Sequence, residues 1–209
     1  MTLQVLIPCK SFGTGKSRLS TMLDTKERRA LCADFLRATL TLGLSLVPSG
    51  RCHVVTDDPE AKTLVTACGA AIIDDPGGGL NAALDAARAH LCGDATADTA
   101  ILVLPIDLPL ATATAMRELL ADTADVAIAP DRARTGTNAL YLGPAAACRF
   151  PFRFGRGSFA LHCEAAAAAR LSLHIVESAA LAFDVDRSAD YREWQRQSGR
   201  EASARASAH

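Results

Sequence analysis

The sequence lacks most of the features that assign a function quickly. It has no excess of basic charge: 22 Lys and Arg stand against 23 Asp and Glu, a formal net charge of −1. The electrostatic footprint of a nucleic-acid binder is therefore missing. No apolar run reaches membrane-spanning length, and no signal-peptide pattern precedes the first apolar stretch, which begins almost at once. The seven cysteines (Cys9, Cys32, Cys52, Cys68, Cys92, Cys148, Cys163) are scattered singly with no CxxC pair. An odd, dispersed set argues for free thiols in a reducing cytosol and against disulfides or zinc. No internal repeat is evident. Nor is any Ser, Cys or Thr accompanied by a motif-placed His and acid, so the nucleophile–base–orienter set of a hydrolase is absent.

One further absence decides a reading. The stretch "IPCKSFGTGKSRLS", residues 7–20, contains Gly-Lys-Ser, the three residues that end a P-loop. The P-loop template also needs a glycine five residues before Gly15, and Lys10 stands there. A Cβ and a long side chain fit poorly where the backbone must turn tightly round a phosphate. What remains is a strand followed by three cations in nine residues, Lys10, Lys16 and Arg18. These point to phosphate held by side-chain charge more than by a glycine nest.

What is present is a regular alternation. The length of 209 residues corresponds to about one domain. Apolar strand-like runs ("QVLIP", "CHVVTDD", "AAIIDD", "TAILVLPIDLP", "DVAIAPD", "TNALYLG", "SLHIVES", "LAFDVD") alternate with helical patterns. Asp24 or Thr25 can cap the first helix. This pattern predicts an α/β fold, a sheet with helices on both faces. From Gln195 the chain is polar without apolar periodicity, so one domain is expected over 1–194 and a disordered tail over 195–209.

In such sheets ligands bind beyond the carboxyl ends of the strands. Asp107 follows the most apolar strand, where a carboxylate needs water, a partner or a metal, or else caps the following helix. Asp184 and Asp186, two apart on an extended segment, point to one face, where like charges call for a cation between them. Asp186 or Ser188 can also cap the last helix. Gly77, Gly78 and Gly79 permit close backbone approach to a ring or a phosphate. "FRFGRGSFALHCEAA" offers a second anion site, with Gly155, Gly157 and a capping Ser158 at a helix start, Arg153 and Arg156 beside it, and His162 one turn in. "DRARTGTNALYL" adds Arg132, Arg134, Thr137 and Asn138. Cys9 reads as a small apolar filler. This inventory suits a reaction whose nucleophile is already ionised, such as a phosphate oxygen attacking the α-phosphorus of a nucleotide. Catalysis is then positioning plus charge neutralisation.

The stretches "PCKSFGTGKSRLS", "VVTDDP", "GGGLNAAL", "IDLPL", "APDRARTGTNALYL", "FRFGRGSFALHCEAA" and "FDVDRSADY", in order from residue 7 to about 191, together resemble the 2-phospho-L-lactate guanylyltransferase family. The resemblance implies a three-layer α/β sandwich with a mainly parallel mixed sheet, similar to the molybdenum-cofactor guanylyltransferases and nucleotide-diphospho-sugar transferases. It implies transfer of GMP from GTP onto the phosphate of 2-phospholactate, phosphoenolpyruvate or 3-phosphoglycerate, with release of pyrophosphate, in coenzyme F420 biosynthesis. Carried over to matching positions, Lys10, Lys16 and Arg18 would contact the nucleotide phosphates, and Gly78, Gly79, Leu80 and Asn81 would lie against guanine and ribose. Asp107, Asp186 and Asp184 would bind Mg²⁺, and Thr137, Gly155 and Ser158 would hold the acceptor phosphate. Asp74 or Asp75 is the expected partner of the guanine edge, and the four arginines Arg132, Arg134, Arg153 and Arg156 are candidate carboxylate partners. The expected partners are GTP and the phosphorylated acid, in the cytoplasm, with no nucleic acid and no membrane; a homodimer is an open oligomeric alternative. Three rivals stand beside this reading: a non-catalytic GTP-binding module of the same fold, a P-loop kinase or ATPase, and a guanylyltransferase with a different acceptor such as molybdopterin.

Overall fold

The computed structural model describes residues 1–93, 98–121 and 123–206. Seven strands form one sheet: β1 (Thr2–Pro8), β2 (Cys52–Val55), β3 (Ala71–Ile73), β4 (Thr99–Val103), β5 (Val126–Pro130), β6 (Thr137–Leu142) and β7 (Leu173–Ile175). Their order across the sheet is β3-β2-β1-β4-β6-β5-β7. Every pairing is parallel except those of β6, which runs antiparallel to both β4 and β5. The reversal comes from a hairpin: the Asp131 side chain accepts hydrogen bonds from the Thr135 N–H and hydroxyl, and the Asp131 N–H donates to the Gly136 carbonyl. An aspartate closing a turn on its own downstream backbone is a common way to fold a chain back.

Alternating side chains along the strands feed two cores. Val5, Ile7, Val54, Leu102 and Tyr141 pack with α1 (Thr25–Leu46), α2 (Pro59–Cys68) and α4 (Ala113–Leu120). Leu6, Val55, Ile101, Val103, Ile128 and Leu140 pack on the other face with α3 (Leu80–Gly93) and α5 (Ser158–Ala168). This is the expected α/β sandwich of three layers with a mainly parallel mixed sheet. A third cluster joins Leu19 and Phe35 to Phe183 and Val185, and the Phe35 and Trp194 rings meet edge to face at 5.2 Å. It seats the segment after Lys16 and the start of α6 (Ser188–Ala206) against α1.

Three sequence expectations change here. Cys92 and Cys148 form a disulfide, their Cα atoms 5.7 Å apart across 56 residues, so the thiols are not all free. The pairing links α3 to the turn after β6, a proximity that only the folded sheet creates. The tail expected from residue 195 is helical as far as Ala206, because α6 continues without needing an apolar face; 207–209 lie outside the described residues. Residues 181–186, expected as a strand, add nothing to the sheet and lie as a strap past the ends of β4, β5 and β6, the Val185 N–H donating to the Asp107 carbonyl and the Arg132 N–H to the Ala182 carbonyl. Of the two expected caps of α1, Asp24 is the one used, in a reciprocal capping box with Glu27.

Candidate active site

The loop after β1 is held from within. The Phe12 N–H donates to Asp58 Oδ2 at 2.9 Å, the Gly13 N–H to Ser11 Oγ at 3.3 Å, and the Thr14 and Gly15 N–H groups to the Ser11 carbonyl at 3.2 and 2.8 Å. A P-loop aims such amides at a phosphate. Here all four are spent internally, which removes the P-loop reading. The organiser is Asp58, which also accepts the Ser11 hydroxyl and caps α2 through the N–H groups of Glu60 and Ala61. Burial works against its charge, but these donors outweigh burial and hold its pKa below the usual carboxylate value. Gly15 packs so closely on α1 that a Cβ would come within 2.9 Å of Cys32 Sγ. Cys9 is buried filler, its thiol pushed up to about 12 chiefly by burial.

Lys16 follows with φ 51°, a left-handed conformation that costs a non-glycine residue about 1 kcal/mol. The strain turns its side chain inward, where only 8 % is exposed. Its Nζ donates to Asp107 Oδ2 at 2.9 Å and to Asp186 Oδ1 at 3.2 Å, and Arg18 Nη1 reaches Asp186 Oδ2 at 3.2 Å. Burial disfavours the ammonium, but Asp107 and Asp186 outweigh that and raise its pKa. Capping falls to other residues: Thr112 caps α4, and Asp190 accepts the N–H groups of Asp186 and Arg187. Asp184 stands two residues before Asp186 on the strap, held by Asn138, whose Nδ2 donates to the Leu181 carbonyl at 2.9 Å and lies 3.5 Å from Asp184 Oδ1. Burial first, then Asp107 and Asp186, push the Asp184 carboxyl up to about 6.

These residues fit a hard divalent cation in donor type and in charge. Carboxylate oxygens are what Mg²⁺ takes, and three carboxylates, Asp107, Asp184 and Asp186, stand close enough that the charges of the other two add to burial in raising Asp184. Among the described residues no three acidic, His or Cys groups form a ready-made cage; the Lys16 ammonium is wedged between two of the three carboxylates. Lys10 is exposed and makes no ion pair with a described residue.

The glycine loop opens α3. Gly77, Gly78 and Gly79 have φ of 83°, 82° and 95°, three successive values that side-chain-bearing residues avoid. Asp75 shapes it by accepting the Gly77 N–H at 2.8 Å, while Asp74 pairs with Lys62 at 2.6 Å. Leu80 is the first residue of α3 and half-buried. Asn81 does something the sequence does not suggest. Its Nδ2 donates to the Phe154 carbonyl at 3.0 Å and its Oδ1 accepts the Phe154 N–H at 2.8 Å, so the amide expected against guanine ties the glycine loop to the Gly155 loop.

On that second loop Gly157 is the N-cap of α5, and Ser158 is the first helical residue. Ser158 does not cap: its Oγ accepts the Thr137 N–H at 2.9 Å, joining α5 to the start of β6. His162, fully buried, is 2.9 Å from Thr137 Oγ1 through Nδ1, and its Nε2 accepts the Arg153 N–H at 3.0 Å. Two of the four candidate arginines are committed. Arg132 forks onto Glu193 at 2.8 and 2.9 Å over the Phe183 ring, and Arg134 pairs with Glu177 over the Phe159 ring. Arg153 and Arg156 are exposed and form no ion pair with a described residue. The antiparallel course of β6 sets its first residues, Thr137 and Asn138, beside the end of β4 that leads to Asp107. The cation–carboxylate cluster and the Thr137–Ser158 pair thus share one rim of the sheet.

A family model described as guanylyl transferase CofC like matches residues 3–203. The chain belongs to that family. It is similar to the phosphoenolpyruvate guanylyltransferase of Rubrobacter xylanophilus, 36 % identical over 189 residues, with 89 % of this chain and 90 % of that protein covered. The enzyme of the same name from Sphaerobacter thermophilus is 36 % identical over 195 residues, covering 92 % of each. Among solved structures, a nucleotidyl transferase from Methanothermobacter superposes with TM-score 0.68 at 15 % identity, covering 96 % of this chain and 99 % of that one. Molybdopterin-guanine dinucleotide biosynthesis protein A from Archaeoglobus fulgidus gives TM-score 0.54 at 17 % identity, covering 96 % of this chain and all of that one. At these identities the structural likeness is one of fold. This guanylyl transferase family member is thus a nucleotidyltransferase by family, and the solved structures share its fold.

Sequence reasoning passed over Asp58, which orders the Lys16 loop; it named Asn138 and Asn81 without the roles the structure gives them, Asn138 holding the Asp184 strap and Asn81 joining two loops. Asp58 carries a local signal, Asp before Pro, but that signal reports only the cap of α2.

Proposed function

We propose that the chain transfers GMP from GTP onto the phosphate of a small phosphorylated three-carbon acid, releasing pyrophosphate. The observation that carries this reading is the shared rim: Lys16 and Arg18 among Asp107, Asp184 and Asp186 on one side of the β4–β6 seam, Thr137 and Ser158 on the other. Phosphoenolpyruvate, the acid in the relatives' names, is our first choice, ahead of 2-phospholactate and 3-phosphoglycerate, and the product belongs to coenzyme F420 biosynthesis. We assign the reaction to the cytoplasm, where GTP is made. No helix of the described residues is long and apolar enough to cross a membrane.

In the step proposed, an acceptor phosphate oxygen forms a bond to the α-phosphorus, and the bond from that phosphorus to the β-bridging oxygen breaks, pyrophosphate leaving with the electron pair. The attacking oxygen is already ionised near neutral pH, so no general base is needed. Lys16, Arg18 and Lys10 neutralise the triphosphate, and the glycine loop lies against the nucleoside. Thr137, Ser158 and the Gly155 loop orient the acceptor. Asp107, Asp186 and Asp184 would hold Mg²⁺, which supplies charge stabilisation to phosphate oxygens when bound. The test is pyrophosphate release with GTP and Mg²⁺ in the presence of each acid, with ATP and CTP as controls. Release with GTP and one acid supports the reading; GTP binding without release on any of the three would favour a non-catalytic GTP-binding module.

A further inference from the structure

The two hydroxyls at the acceptor side are each already used as acceptors. A main-chain N–H can only donate, so the Arg153 N–H at 3.0 Å makes His162 Nε2 the acceptor nitrogen. A neutral ring then carries its one proton on Nδ1, which faces Thr137 Oγ1 at 2.9 Å and donates to it. Burial, then Arg153, hold the ring neutral by pushing its pKa down to about 4. The Thr137 hydroxyl proton is turned away from the imidazole as a result. Ser158 is in the same position, since its Oγ accepts the Thr137 N–H. Neither hydroxyl proton has an acceptor among the described residues. Ser158 follows the N-cap Gly157 and donates its N–H to the Gly155 carbonyl, so the Thr137–Ser158 pair adjoins a loop where no atom comes within 4 Å of the place a Cβ would occupy at Gly155 or Gly157.

Taking this side of the rim as the acceptor-phosphate pocket proposed above, we infer that His162 is a positioning residue: its Nδ1–H fixes the Thr137 hydroxyl as a donor to the acceptor phosphate. With Ser158 it converts two ambivalent hydroxyls into a pair of outward donors that match an anion and reject a donor group. The ring also spans from Thr137 to the Arg153 backbone, so the same side chain sets the distance between β6 and the loop of Gly155. A hydroxyl free to rotate would spend part of its time presenting a lone pair to the phosphate.

The test has two arms on the full chain. Nitrogen-15 NMR of the His162 ring is expected to show a neutral Nδ1–H tautomer at neutral pH; an Nε2–H or a charged ring overturns the inference. In pyrophosphate-release kinetics, His162→Phe is expected to raise KM for phosphoenolpyruvate about tenfold or more, the usual scale for losing a hydrogen bond to a charged group. KM for GTP should stay within about twofold, and His162→Asn, which restores an N–H near Nδ1, should recover most of the loss. A normal acid KM in His162→Phe overturns the inference. Thr137→Val should reproduce the defect and add little to His162→Phe, whereas additive losses also overturn it. If His162→Phe does not fold, Thr137→Ser against Thr137→Val gives the same decision, with Ser expected to retain the acid KM. If the native chain releases no pyrophosphate with any acid, the proposed reaction fails but the inference is still judged by inorganic phosphate. Phosphate should then shift the His162 ring resonances in the native chain and not in Thr137→Val; equal shifts in both overturn it.

Discussion

Replacing Asp184 by Asn should make the metal-free protein more stable at neutral pH while disabling it. The Asp184 carboxyl sits beside Asp107 and Asp186, and burial together with their charges raises it from 3.8 to about 6. The native state therefore holds a proton between about pH 4 and pH 6 that the unfolded chain has released. Stability falls as pH rises through that window, because the folded state binds more protons there. A shift of about two units sets an upper bound of roughly 3 kcal/mol, and solvent screening at this half-buried group reduces it to about 1 kcal/mol. Asparagine keeps an oxygen for Asn138 and carries no charge, so the variant escapes this loss. In urea or thermal unfolding with a chelator present, Asp184→Asn and the native protein should be close at pH 4. At pH 7.5 the variant should lead by about 1 kcal/mol, or about 2–4 °C for a chain of this size. Pyrophosphate release should fall at least about 100-fold in the same variant, the scale of losing a group that neutralises transition-state charge. A variant no more stable than the native chain at pH 7.5, or a stability gap that does not change between pH 4 and pH 7.5, would refute the account of an under-neutralised carboxylate cluster.

Other expectations follow from the same geometry. Lys16→Met leaves Asp107 and Asp186 without their bridging ammonium, so pyrophosphate release should drop by about 10²–10³, measured at saturating GTP in protein whose circular dichroism is unchanged. Asp58→Ala strands the Phe12, Glu60 and Ala61 amides and should cost about 2–3 kcal/mol in urea unfolding, with a raised KM for GTP because the Lys16 loop loosens. Thiol titration of the denatured, unreduced chain should count five reactive cysteines, Cys9, Cys32, Cys52, Cys68 and Cys163, and seven after reduction. Opening the Cys92–Cys148 bridge, which closes a span of 56 residues, should lower stability by up to about 4 kcal/mol.

Much of the site was legible because its chemistry follows strand ends. The apolar run before Asp107 marks a central strand, and the spacing of Asp184 and Asp186 places them on one face whether or not the segment joins a sheet. That segment shows the limit of the signal: Phe183 and Val185 alternate with the aspartates as in a strand, yet they fill the third core cluster and leave the backbone outside the sheet. Local pattern reports burial on alternate sides, not the presence of a neighbouring strand. The continuation of α6 past residue 195 was hidden for a related reason, since a helix with no apolar stripe gives no period to detect. Asn81, Asn138 and the Cys92–Cys148 pair act through partners 43 to 73 residues away, and no local rule encodes those distances.

The reversed strand β6 has a consequence for how such an enzyme can change. Because β6 and the hairpin before it are one continuous piece, Thr137, the Gly155 loop and His162 fall within a short stretch of chain. Lys16, the glycine loop and all three aspartates, Asp107, Asp184 and Asp186, lie outside it. On the proposed reading, specificity for the acid is carried on a nearly self-contained cassette, docked to a nucleotide half through the β4–β6 seam and the Asn81 clasp. Exchanging residues 131–162 between relatives that use different acids should transplant the choice of acid while leaving the grip on the nucleotide as it was.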